Sequence, residues 1–213
     1  MLRFENGKHS GGFLLWGDYH TLKEIHSFCM NVSEKSPILD SQGLIPALAY
    51  DLRKAYEKRR ELSTETIWDD EVTIYGVEQI WVTFIVQLAL MRTSLAFFDT
   101  NKKEQSIMYK LEAYLEEILP IAFPKQHRAI LAVYSWLVGT QEQQIQDIIG
   151  SRVSYFLSLT KPKRANELEH ILKSLDPVMD SFLRNHPHHQ SAQFNPTIYD
   201  LHSWDTVSNS AKI

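Results

Sequence analysis

Cysteine is nearly absent: Cys29 stands alone among 213 residues, so no disulfide closes within the chain and no thiolate-based zinc site assembles. That usage fits a reducing compartment. Glycine is sparse at eight residues, and none falls into a phosphate-cradling pattern. There is no G-x-x-x-x-G-K-[ST], no G-x-G-x-x-G after a strand, no H-E-x-x-H, no G-x-S-x-G and no EF-hand loop. Neither sign of charge dominates. Lys and Arg number 22 against 26 Asp and Glu, a net charge of −4, which removes the usual electrostatic motive for non-specific binding to nucleic acid or an anionic bilayer. The first nine residues carry charge throughout and lack an apolar signal core, so a secretory signal is not expected. The run Ile80 to Phe98 is long enough to span a bilayer. Gln87 and Arg92 interrupt it, and a polar group at depth in lipid is costly. A buried helix in a bundle explains the run without that cost.

What is present is ordinary globular material, 44% hydrophobic and 23% charged, at a length that favours one domain. Alternating Leu2 to Glu5, the Asn6-Gly7 turn and the return Gly11 to Trp16 predict a β-hairpin. Thr21-x-x-Glu24 has the form of a capping box and opens a first helix to about Val32, which makes Cys29 a small core residue. A second helix is expected over Gln42 to Glu61, and a second hairpin over Thr64–Trp68 and Val72–Tyr75. A central helix, Val77 to Phe98, is apolar on most sides. Four more follow: Lys103–Leu119 stopping at Pro120, Lys125–Val138, Gln141–Leu159 and Lys163–Asn185. The fold class is therefore α+β and mostly α, a bundle of about six or seven helices with two small hairpins in the N-terminal third. Residues 1–185 form one domain. Residues 186–213, rich in His, Ser, Asn and Pro, form a weakly ordered or docked tail.

The most distinctive local text runs from Tyr50 to Glu61, Tyr-Asp-Leu-Arg-Lys-Ala-Tyr-Glu-Lys-Arg-Arg-Glu. Carried on one continuous helix, Tyr50, Arg53 and Arg60 share a polar face beside the Leu44/Leu48/Leu52 stripe. Two guanidinium forks and a phenol suit a carboxylate or phosphate; a wet, charged helix face is the plainer account of the same residues. Gly17-Asp18-Tyr19, Leu22, Tyr50-Asp51-Leu52-Arg53, Ala55-Tyr56 and Arg60-Glu61 resemble a family of small bacterial proteins of unknown function, over roughly residues 1–120. In that family a hairpin exits through G-D-[YF]-x-D-L and a later helix carries Y-D-[IL]-R-x-A-[YF]. Thr21 replaces the second acidic residue of the first motif. Residues 121–185 then read as added helices. The resemblance implies a cytoplasmic bacterial protein and adds weight to Arg53 and Arg60; it implies no activity.

The expectation is a non-enzymatic module that binds a protein partner or a small anionic ligand through Tyr50, Arg53 and Arg60, with no cofactor and no metal. The alternative is enzymatic. Arg184-Asn185-His186-Pro187-His188-His189 resembles the R-x4-H element of nucleotide-binding helical domains, many of them metal-independent ribonucleases. His189 would act as general acid or base and Arg184 would stabilise phosphate charge. Pro187 inside the element and the acidic balance of the chain count against it. The same histidines suit a divalent metal, but no acidic or thiolate partner is placed to close a site.

Overall fold

The computed structural model describes residues 1–7, 10–67 and 69–176. In order they form β1 (Leu2–Asn6), β2 (Gly12–Asp18), α1 (Tyr19–Lys35), α2 (Leu44–Tyr56), β3 (Glu61–Ile67), β4 (Asp70–Ile80), α3 (Trp81–Ser94), α4 (Lys102–Ala122), α5 (His127–Leu137), α6 (Glu142–Ser158) and α7 (Lys161–Lys173). The fold is α+β and mostly α, as the periodicity predicts. The two hairpins do not stand apart. β2 pairs with β4, giving one antiparallel sheet in the order β1-β2-β4-β3.

The β2–β4 seam sets the register Leu15↔Val77 and Trp16↔Gly76. Gly76 is required there by space: a Cβ would come within 2.9 Å of both the Trp16 ring and the Glu61 Cβ. The Trp16 indole N–H donates to Glu5 Oε2 at 2.9 Å, tying the ring across to β1. Phe13, also on β2, points the other way into the bundle, since neighbouring strand residues alternate faces. Its ring lies 4.4 Å from Trp81, 5.1 Å from Phe84 and 5.5 Å from Phe4 between centroids. One side chain thereby joins both sheet strands of the first hairpin to α3.

α3 is the axis of the bundle, bordered by α1, α2, α4, α5, α6 and α7. Twelve of its fourteen residues are buried. It starts later than predicted, because Val77–Ile80 pairs with Gly12–Leu15 as strand; the four residues Val-Glu-Gln-Ile are too short a segment for periodicity to choose between helix and strand until a partner strand is present. α1 also starts differently. Its N-cap is Asp18, whose Oδ1 accepts the Thr21 N–H at 2.9 Å and whose Oδ2 accepts the Thr21 hydroxyl at 2.7 Å. Partial burial works to raise the Asp18 pKa, but hydrogen bonds from the Met1 ammonium and from Thr21 outweigh it and hold the carboxyl far below its usual range. At α4 the capping box is Asn101 and Glu104. This helix carries Pro120 within its last turn and continues to Ala122; so near the C-terminus proline's missing N–H forfeits a single helical bond.

Helices α3, α4 and α5 are tied by one polar knot. Arg92 Nε donates to Glu112 Oε1 at 2.7 Å, and a second guanidinium nitrogen donates to the other carboxylate oxygen. Arg92 Nη1 reaches Gln105 at 3.1 Å, while the Tyr134 hydroxyl donates to Glu112 Oε1 at 2.7 Å. Burial alone raises a carboxyl pKa; here the hydrogen bonds from Arg92 and Tyr134 win, holding Glu112 below its ordinary 4.5. A pKa depressed by folding contributes stability above the unfolded value, and that stability is lost as pH falls through the folded one. Glu112→Gln should therefore cost about 1–3 kcal/mol near neutrality, and its gap to wild type should shrink as pH drops below 4.5. Urea midpoints across that range check the sign.

Candidate functional site

Helix α2 bears the predicted residues, and three other elements hold it in place. Its N-cap, Gly43, makes no side-chain cap bond. Glu142, at the start of α6, supplies one instead: its carboxylate accepts the Leu44 N–H at 2.6 Å and the Asp40 N–H at 2.7 Å. Gln87 of α3 donates to the Leu44 carbonyl at 2.8 Å. Ile45, Leu48, Ala49, Leu52 and Ala55 bury the inner face. The outer face is left to Tyr50, Arg53 and Lys54.

The helix ends at Tyr56, five residues short of the predicted Glu61. Lys58 adopts a left-handed backbone, φ 63°, and the chain turns into β3. A helical pattern of charges continues to Glu61, but pairing of Glu61 with Gly76 on β4 overrides it. Arg60 thus leaves the helical face it was expected to share with Tyr50 and Arg53. It turns to Asp51 instead, Nη2 to Oδ1 at 2.5 Å.

Tyr50 and Arg53 do stand together. Tyr50 is 50% exposed; the Arg53 guanidinium lies 5.6 Å and the Lys54 ammonium 5.0 Å from its ring centroid. Arg53 is exposed and faces Glu57 at 3.8 Å, a surface pair worth well under about 1 kcal/mol and open to exchange. From Arg53 to Arg60 there are five cations (Arg53, Lys54, Lys58, Arg59, Arg60) against one acid, Glu57.

The neighbouring face of α1 extends this surface. Tyr56 meets Tyr19 edge to face, with centroids 5.5 Å apart, and its hydroxyl is 3.3 Å from His26 Nδ1. Lys23 lies 5.3 Å over the Tyr19 ring. Burial first, and the Arg53 charge second, lower the His26 pKa against the pull of Glu57. Burial and Glu57 raise that of Tyr56. The contributions of Lys23 and His26 went unseen in the sequence. Their signal is the spacing Tyr19, Lys23, His26, one turn and two turns along a helix, which matters only once α1 is known to pack on α2.

Cys29 is fully buried with its sulfur 3.7 Å from that of Met91, and burial pushes its thiol up to about 12. Arg184 and His189, the alternative catalytic pair, lie outside the described residues, as do His186, His188 and the tail. Among the described residues no cluster of three or more acidic, His or Cys side chains is grouped to hold a metal, and no helix is long and apolar enough to cross a membrane.

One family model matches the chain over residues 2–193, well beyond the first 120 residues that carry the motifs. No curated protein and no solved structure matches it.

Proposed function

The chain belongs to the family described as a domain of unknown function (DUF6904), and from that premise we propose that it is a non-enzymatic binding module, acting in a reducing, cytoplasmic setting, whose α1–α2 surface docks an acidic segment of a partner protein. The observation that carries this reading is the half-exposed Tyr50 ring bracketed by Arg53 and Lys54. Tyrosine and arginine are the residues that concentrate binding energy at protein interfaces. Tyrosine offers a large contact area at little entropic cost. The surrounding cations set the sign of the partner and steer its approach, although the chain as a whole is acidic. Arg60, engaged with Asp51 on the opposite flank of α2, is a lesser contributor.

The test is fluorescence anisotropy with a labelled Glu-rich peptide. Binding should tighten as salt is lowered, since a Debye length of about 10 Å at 0.1 M screens such contacts. Arg53→Glu/Lys54→Glu should weaken it at least about tenfold, roughly 1.4 kcal/mol. Lys110→Glu/Lys125→Glu, the same change in net charge at exposed positions elsewhere, should leave it unaltered. Equal losses in the two double variants would mean that net charge alone attracts the peptide, and the docking surface would be abandoned.

A further inference from the structure

On the other flank of α2 a cleft of about 440 Å³ opens between α2, the end of β4, α3 and α6. Its walls are apolar: Leu44 and Ala47 from α2, Ile80 from β4, Ile149 and Val153 from α6. Gln79, Thr83, Gln87 and Gln146 bring polar side chains among them, and Gln87 is the most buried of these. Gln87 is 3% exposed, on a helix otherwise given over to the core. A carbonyl only accepts, so the amide nitrogen must be the atom facing Leu44 O. The Gln87 Oε1 is then left buried without a hydrogen-bond partner. A buried acceptor in that state is destabilising, and a donor delivered along the cleft would relieve it. The charged residues lining the mouth are both carboxylates, Asp51 and Glu78. Asp51 is already engaged by Arg60, whereas Glu78 is exposed to solvent.

We propose that this cleft is a small-molecule site for an apolar, N–H-donating amine: an aromatic or aliphatic body against Leu44, Ile80 and Val153, a hydrogen bond to Gln87 Oε1, and the ammonium group at Glu78. A largely apolar cleft with a few placed polar groups is the usual form of a ligand pocket. Glu78 selects the charge, because an anion of the same shape would meet its solvent-exposed carboxylate.

Tryptamine, indole and indole-3-propionate share a ring and differ in charge, and each is titrated against the 15N-labelled protein by NMR. Tryptamine should bind saturably, with shifts centred on residues 44–51, 80–87 and 149–153. Indole should bind more weakly and indole-3-propionate not at all. Ala47→Phe, at an exposed position of α2 on the cleft, should block the space without disturbing the core and weaken tryptamine at least tenfold. Glu78→Gln should weaken tryptamine and leave indole unchanged. Tryptamine binding that Ala47→Phe leaves intact, or binding of the propionate as tight as that of the amine, would overturn the assignment. Ala47→Phe should also leave Glu-rich peptide binding at wild-type strength, so failure of this site is separable from failure of the Tyr50 surface.

Discussion

Phe13→Ala lowers the free energy of unfolding by about 4 kcal/mol, in the range observed when a buried aromatic ring is truncated in a packed core. Phe13 is 1% exposed, and its ring meets Phe4, Trp81, Phe84 and Tyr114 at centroid separations from 4.4 to 6.5 Å. Truncation removes apolar area from the core and leaves a void that these large rings cannot all collapse into, because each is held by other neighbours. Trp81, for one, also packs against Phe123 at 5.0 Å. The loss falls where β1 and β2 join the helical bundle, a contact made only in the folded state. Urea denaturation should show a lower midpoint with an unchanged slope. Phe97→Ala, a ring 49% exposed, should cost under about 0.5 kcal/mol in the same assay.

Phe13 also shows how much of this fold is legible in the sequence. The alternation of Leu2 to Glu5 marks the strand it packs beside, and the Asn6-Gly7 signal places the hairpin that returns through Phe13. Helices with a clear apolar stripe, such as α4 with Ile107, Leu111, Leu115 and Ile118, are recovered by period alone. What resists reading is whatever depends on a distant partner. Val77 to Ile80 fits strand or helix, and β2 decides. The charged run after Arg53 keeps helical spacing to Glu61, and β3–β4 pairing ends it early. The same dependence governs the surfaces. Tyr50 and Arg53 are neighbours on one helix, so their pairing was accessible; Arg60 lay beyond a helix end that sequence spacing does not mark. Gln87 argued only against a membrane span, since nothing local reveals that one amide atom would be bound and the other left over.

Glu142→Ala should cost about 2 kcal/mol, from two part-buried backbone donors left without their acceptor at about 1 kcal/mol each, the low end of the range for an unsatisfied donor. Glu142 is 2% exposed and sits 98 residues along the chain from the Leu44 N–H that it caps. The helix it caps has no local substitute, because Gly43 carries no side chain. Gly43 is glycine for that reason and not for its backbone, whose φ of −82° suits any residue. A Cβ there would come 2.2 Å from the Glu142 carboxylate. The two positions are therefore coupled, with a sign that distinguishes this account from simple loss of helix propensity. Gly43→Ala should destabilise the wild-type chain by displacing the carboxylate, yet cost little more in the Glu142→Ala background, where the space is vacant. Such non-additivity, read from urea midpoints in a double-mutant cycle, should exceed about 1 kcal/mol. Additive losses would mean that Glu142 fills space without capping. Because α2 is seated by this contact, Glu142→Ala should also weaken both Glu-rich peptide and tryptamine binding, while Phe97→Ala weakens neither.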